Sequence, residues 1–252
     1  MFVKIKKTSL LFREFGVFFT IRYLFYKITH QYDKYIRLIY EFLCVYLEDE
    51  ILFYSKDNFK SRYLKTKNEN VKVWVCWWQG YDKMPEFCKM CYENLKSVLS
   101  EEYELILISE ENYNHYTEIP EFLVKRLNDG MIPVTQFCDV LRQSLIYNNG
   151  GIWIDASIWC TKDINKQLNF KNDFWSVKLD KIDDPQVYGQ LISECKWGSF
   201  LLGGQKGSLI YKFVFEAMCK YYENHVYVLD YFLQNLLMRV AYENIPLIKE
   251  MV

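Results

Sequence analysis

Two asparagines and two glycines at residues 148–151 divide a helical pattern from a β-rich one, and this junction constrains the fold most strongly. Before it, Leu141 and Leu145 belong to an apolar pattern at helical spacing that follows Thr135, a residue type that caps helices. After it, residues 152–158 form a short apolar run typical of a buried strand. Asn and Gly tolerate the positive φ found at helix C-termini. The sequence therefore predicts a helix capped by Thr135, a tight turn and a strand.

Four polar residues stand out within this unit. Asp139 and Arg142 are three residues apart and share one helix face, whereas Asp155 and Ser157 are two apart and share one side of the strand. An ionised carboxylate inside an apolar strand is costly unless it is paired or bound to a metal. We therefore expect Asp155 at the C-terminal end of the strand, where ligands bind in open α/β sheets.

The rest of the main region alternates between strand and helix patterns. Apolar runs predict strands over residues 71–78, 103–109, 174–179 and 197–204, and helical spacing predicts helices over 85–99, 119–127, 207–223 and 227–242. A strand, a helix and a strand in succession predict a parallel β-α-β unit, and the alternation as a whole favours an α/β sheet domain. The sequence contains no GxGxxG or phosphate-loop motif, which argues against a dinucleotide-binding or ATP-binding protein.

The first 40 residues differ in composition from the rest of the chain. They are rich in Lys, Arg and aromatic residues, and their acids are Glu14 and Asp33. Charges at Arg13, Glu14 and Arg22 interrupt the apolar stretch, so a membrane-spanning helix is not expected. Two interpretations stay open. The basic, aromatic helices lie at a membrane interface that carries anionic lipid, or they pack their aromatic stripe on the main domain.

Composition sets the remaining bounds. A chain of 252 residues, 51% hydrophobic and 18% aromatic, can bury one substantial core. A Lys- and Asn-rich stretch at 55–70 predicts a linker, so we divide the chain into an N-terminal basic, aromatic helical region (1–66) and a main domain (67–252). The net charge of −1 predicts no nucleic-acid partner, and eight cysteines without a signal peptide predict reduced thiols in the cytoplasm.

The central unit resembles the helix-turn-strand block of the capsular polysaccharide synthesis protein family, and of the mannosyltransferases and clostridial glucosylating toxins that share its DXD motif. The matching positions are Asp139, Arg142, Leu145, Tyr147, Gly150, Gly151 and Asp155. Ser157 stands where the second Asp of the motif would be, as is common in the capsular branch. The resemblance covers residues 71–242.

This resemblance implies a GT-A type Rossmann-like nucleotide-sugar domain with an N-terminal helical appendage. It implies a glycosyltransferase that moves a hexose from a nucleotide diphosphate sugar to a growing, lipid-linked capsular or cell-surface glycan, with retention of configuration, at the inner face of the cell membrane. Residues 1–40 would make the peripheral membrane contact.

The resemblance also implies which residues act. Asp139, Arg142 and Asp155 would be catalytic, and a divalent metal, Mn²⁺ or Mg²⁺, would be held by Asp155 and Ser157. The residues that would bind the nucleotide sugar are Trp78, Gln79, Asp139, Arg142, Gly150, Gly151, Asp155, Ser157 and Asp230. We expect Asp155→Ala and Arg142→Ala to remove activity and leave the fold intact.

Two alternatives to this function stay open. One is a transferase with the same donor site that acts on protein or lipid A-type acceptors. The other is a catalytically weak homologue that binds a glycan or a partner at the membrane, and Ser157 is the feature that favours it, because a hydroxyl is a weaker metal ligand than a carboxylate.

Overall fold

The structure, a computed structural model, describes residues 2–56, 70–161, 164–166, 168, 172–178 and 188–252. The described helices are α1 (Phe2–Ile28), α2 (Tyr32–Tyr46), α3 (Glu48–Tyr54), α4 (Glu86–Val98), α5 (Glu121–Asn128), α6 (Val134–Asn149), α7 (Tyr188–Ser193), α8 (Leu209–Asn224), α9 (Leu233–Asn244) and α10 (Pro246–Met251). The described strands are β1 (Val71–Cys76), β2 (Tyr103–Ile108), β3 (Gly151–Ile154), β4 (Trp175–Ser176) and β5 (Leu201–Gly204). Most of the predicted linker falls on 57–69, outside the described residues.

These strands form one five-stranded sheet in the order β2-β1-β3-β5-β4. Strand β1 pairs in parallel with β2, where Val71 lies opposite Tyr103, and in parallel with β3 on its other side. The predicted parallel β-α-β unit is therefore confirmed. Strand β5 runs antiparallel to both β3 and β4, so the sheet is mixed. The strand of the central unit, β3, occupies the middle of the sheet and is buried along its whole length.

Four predicted boundaries are wrong. Strand β3 ends at Ile154. The Asp155 N–H still bonds to the Phe200 carbonyl at 2.9 Å, in register with β5, and the Ile158 N–H then bonds to the Asp155 carbonyl at 3.0 Å, which closes a turn. Helix α6 has Pro133 at its N-cap and makes no side-chain cap there, so Thr135 lies inside the first turn. Two further elements start later than predicted: β5 begins at residue 201 and α9 at residue 233.

The predicted glycine turn joins α6 to β3. Gly150 and Gly151 have φ of 72° and 100°, in the region that favours glycine. A Cβ at Gly151 would lie 2.3 Å from the Lys72 carbonyl oxygen, so the close pairing of β3 with β1 also requires glycine there. Trp74 Nε1 donates to the Gly150 carbonyl at 2.9 Å and fixes the turn against β1.

Both faces of the sheet are covered. Alternate residues of β1 point to opposite sides, so Val73 and Val75 join a smaller core with Leu95 of α4, whereas Trp74 joins the larger core. The larger core contains residues of α6, α8 and α9 and of the N-terminal helices. The result is a three-layer arrangement in which α6 lies on the sheet beside its own strand.

The N-terminal helices pack on the C-terminal half of the chain. Tyr23 of α1 donates its hydroxyl to the Leu229 carbonyl at 2.5 Å, and Glu50 of α3 pairs with Lys220 at 2.7 Å. Phe15 and Phe19 pack against the larger core, whereas other aromatics of α1 stay exposed. Within the described chain, no helix is long and apolar enough to cross a membrane.

Candidate active site

A cleft of about 600 Å³ opens at the edge of the sheet where β1 and β3 end. Its lining comes from the residues that follow these strands, from one face of α6, and from two segments near the C-terminus. The lining includes Cys76, Trp77, Trp78, Gln79, Thr135, Cys138, Asp139, Arg142, Trp153, Asp155, Ala156, Ser157, Ser199, Phe200, Tyr231, Phe232 and Gln234. The location is the one where open α/β sheets bind ligands.

Arg142 is the centre of the site. Its Nη2 donates to Asp155 Oδ1 at 3.1 Å and lies 3.4 Å from Asp139 Oδ1, so one guanidinium is shared by two carboxylates. Its Nη1 donates to the Ser199 carbonyl at 2.6 Å, and its Cζ lies 4.8 Å from the centre of the Trp153 ring. Arg142 is only 6% exposed. The expectation that Arg142→Ala leaves the fold intact assumed that this side chain does not pack in the core. That assumption is wrong, because the guanidinium ties α6 to β3 and to the segment before β5.

Asp155 follows directly after β3 and faces the cleft. Its Oδ1 accepts hydrogen bonds from Arg142 and from Trp153 Nε1, the latter at 2.6 Å. No described residue donates to Oδ2 of the same carboxylate, so this second oxygen is available to a ligand. The hydrogen bonds to Oδ1 orient the Asp155 carboxylate, and Oδ2 can bind a ligand.

Asp139 lies on α6 one turn before Arg142. The pKa of its carboxyl is raised from 3.8 to about 7, chiefly by burial; the attraction of Arg142 lowers the pKa, and the nearby Asp155 raises it by a smaller amount. The side-chain amide of Gln234 is oriented with its nitrogen towards Asp139, and this nitrogen donates to Asp139 Oδ1 at 3.3 Å. A carboxyl with a pKa near 7 can take or give a proton at neutral pH.

The structure brings six of the predicted site residues together and places three elsewhere. Those that line the cleft are Trp78, Gln79, Asp139, Arg142, Asp155 and Ser157. Gly150 and Gly151 lie at the opposite, N-terminal end of β3, where they form the turn described above. Asp230 is not among the lining residues. Its carboxylate accepts from the Tyr35 hydroxyl at 3.1 Å and from the Phe232 N–H at 2.8 Å, and so it holds the segment that carries two cleft aromatics.

Several residues that line the cleft were not predicted from the sequence. Trp153 had a usable signal, because it lies two residues before Asp155 on the same side of the strand. Cys76 and Cys138 meet in the cleft with their Sγ atoms 3.6 Å apart, although 62 positions separate them in the chain. Tyr231 directly follows the predicted site residue Asp230, and it lines the cleft although Asp230 does not.

The residues present fit one kind of metal site. Among the described residues no group of three or more His, Cys, Asp or Glu side chains could hold an ion. Asp155 and Ser157 offer one carboxylate and one hydroxyl. Mg²⁺ is commonly held by one or two carboxylates together with substrate phosphates and water. The cleft therefore fits an ion shared with a phosphorylated substrate, and does not offer a cage made of protein ligands alone.

The fold and the cleft define an α/β protein whose polar site, two carboxylates around one arginine, lies at the carboxyl ends of adjacent strands. The chain matches the model of the family described as capsular polysaccharide synthesis protein over residues 20–252, and it belongs to that family. The resemblance seen in the central unit is thereby confirmed.

A curated relative also matches. The chain is 26% identical over 135 residues to the O-glycosyltransferase BraB of Annulohypoxylon truncatum, a match that covers 50% of this chain and 29% of that protein. The chain thus spans less than a third of this relative's length. No solved structure matches the chain.

Proposed function

We propose that the protein is a glycosyltransferase that moves a hexose from a nucleotide diphosphate sugar to a growing cell-surface glycan, through a GT-A type nucleotide-sugar domain. The observation that carries the proposal is the shared guanidinium of Arg142 between Asp139 and Asp155, in a cleft at the carboxyl edge of the sheet. Family membership and the glycosyltransferase relative support it.

Transfer from such a donor breaks the bond between the anomeric carbon and a diphosphate oxygen, so negative charge develops on the diphosphate. A divalent ion held by Asp155 Oδ2 and Ser157 would neutralise part of that charge when bound. Arg142 orients Asp155 and adds positive charge beside it, because its guanidinium is fixed by the Ser199 carbonyl and the Trp153 ring. Trp78 and Gln79 would contact the base and ribose at the end of β1.

Asp139 has a different role in this proposal. Its raised pKa lets it hold a proton at neutral pH. The protonated carboxyl can then both donate a hydrogen bond to a hydroxyl of the donor sugar and accept one from it. With retention of configuration, the acceptor oxygen bonds to the anomeric carbon on the face that the diphosphate leaves, and the diphosphate takes the acceptor proton. No side chain then has to act as a nucleophile.

The acceptor is proposed to be a lipid-linked glycan at the inner face of the cell membrane. A transferase acting on protein or lipid A-type acceptors would use the same donor site, and acceptor profiling separates the two. A catalytically weak, glycan-binding homologue is the candidate from another class, and it rests on Ser157 in place of a carboxylate.

The test is release of nucleotide from a panel of UDP- and GDP-sugars by the purified protein, with Mn²⁺, with Mg²⁺ and with a chelator. We expect one donor to be hydrolysed and Asp155→Asn to lower its turnover on the order of 100-fold or more. Asp129→Asn is the matched control, since Asp129 is an exposed acid at the end of α5. A wild-type protein that hydrolyses no donor, and whose melting temperature no nucleotide raises, would refute catalysis and favour the binding homologue.

A further inference from the structure

Helix α1 turns an apolar stripe to solvent between its kink at Gly16 and its end at Ile28. The stripe consists of Val17, Phe18, Ile21, Phe25 and Ile28, whose exposed fractions run from 54% to 89%. Their spacing of three and four residues places them on one side of the helix. Single exposed apolar residues are ordinary on a protein surface, whereas a contiguous apolar stripe indicates an interaction site.

The opposite side of α1 fixes which way the stripe faces. Thr20 and Tyr23 are fully buried, and Tyr23 bonds to the Leu229 carbonyl. Gly16 has φ 76° and ψ 173°, so the helix is kinked just before the stripe begins. The stripe cannot turn inward without breaking the contacts of Tyr23, so its exposure is a property of the folded chain.

The charges beside the stripe are positive. Arg22 and Lys27 are exposed in the same segment of α1 as the stripe, and Lys7 and Arg13 are exposed before the kink at Gly16. Among the described side chains of α1 the acid is Glu14, which is buried and accepts backbone N–H groups of residues 226 and 227 at 3.0 to 3.2 Å. An apolar helix face flanked by exposed cations matches a bilayer surface with anionic lipid, where rings enter the interface and cations meet the headgroups.

We propose that α1 binds a bilayer containing anionic lipid through this stripe, lying in the interface plane. The same helix holds the cleft wall from its other side. Tyr23 of α1 donates to the Leu229 carbonyl, and the Tyr35 hydroxyl of α2 lies 3.1 Å from both that carbonyl and Oδ2 of Asp230, directly before the cleft residue Tyr231. Membrane binding therefore ties the segment that carries the cleft residue Tyr231 to a helix at the bilayer, and this deepens the proposed function by linking the enzyme to the membrane of a lipid-linked acceptor.

The experiment is co-sedimentation of the full chain with vesicles of phosphatidylcholine alone or mixed with phosphatidylglycerol. We expect binding to the mixed vesicles that high salt weakens. Phe18→Ser and Phe25→Ser should each lower the partition coefficient about tenfold, as loss of a buried aromatic side chain predicts. The matched control is Phe87→Ser, because Phe87 of α4 is 57% exposed against 54% for Phe25 and lies outside the stripe.

Three results would overturn the proposal. The first is no binding of the wild type to the mixed vesicles, and the second is equal loss of binding in Phe25→Ser and Phe87→Ser. The third is a concentration-dependent dimer in analytical ultracentrifugation that Phe18→Ser abolishes, since it would assign the stripe to a second copy of the chain. Donor hydrolysis without vesicles should be unchanged in the stripe variants, so failure of this proposal and failure of the proposed activity give different results.

Discussion

Asp139→Asn should be more stable than the wild type, by a difference in unfolding free energy that grows as the pH rises. The carboxyl of Asp139 is largely buried, with its side chain 17% exposed, and burial raises its pKa from 3.8 to about 7 despite the ion pair with Arg142. Ionising it is therefore harder in the folded chain than in the unfolded chain. Asn keeps the size and the hydrogen-bonding capacity of the protonated acid but never ionises.

The sign and size follow from proton linkage. Between about pH 4 and about pH 7 the unfolded chain has lost this proton while the folded chain keeps it, so the stability contributed by Asp139 is full below the lower value and is lost as the pH rises. The slope is about 1.4 kcal/mol per pH unit, which amounts to about 4 kcal/mol over the whole window. Above about pH 7 both states are ionised and the loss levels off.

The assay is urea unfolding of wild type and Asp139→Asn at a series of pH values. From about pH 5 to about pH 8 the variant's advantage in unfolding free energy should grow by roughly 2 to 3 kcal/mol and then stay level. Asp129→Asn should show no such growth, because Asp129 is exposed. A difference between wild type and Asp139→Asn that does not change with pH would refute the argument that Asp139 is protonated in the free protein.

Three further predictions test the scaffold around the site. Arg142→Ala should lose activity and, in calorimetry, about 3 kcal/mol or more of stability, because it leaves two carboxylates without their shared cation. Activity lost at full stability would contradict this. Gly151→Ala should cost several times more unfolding free energy than Gly130→Ala, since a Cβ meets the β1 backbone at 2.3 Å in the first and open space in the second. Equal costs in urea unfolding would contradict the close approach. Tyr35→Phe should cost about 1 kcal/mol or more in the same assay, through its lost bond to Asp230, and no cost would show that this bond is not stabilising.

The sequence predicted the parts of the fold that depend on local pattern. The helix-turn-strand unit, the parallel β1-α4-β2 unit and the position of Asp155 after a buried strand all follow from residue spacing and from the turn residues between them. These features involve neighbours in the chain or periodic faces, so the sequence carries their signal directly.

The features that it did not predict depend on distant contacts. The burial of Arg142 depends on its contacts with the Ser199 carbonyl and the Trp153 ring. The antiparallel pairing of β5 with β3 also brings together segments about 50 residues apart, a contact that local patterns do not constrain. The resemblance implied that Asp230 binds the nucleotide sugar, and the structure gives it contacts that hold the cleft wall.

The two thiols in the cleft provide a built-in chemical reporter. Cys76 and Cys138 lie beside Asp139 on a surface that a bound nucleotide would cover. Their mutual hydrogen bond and burial raise the pKa of Cys76, which keeps this thiol protonated and slow to react at neutral pH. Occupancy of the cleft can therefore be followed as protection from a small alkylating reagent at alkaline pH, one nucleotide at a time, without any knowledge of the acceptor or any turnover.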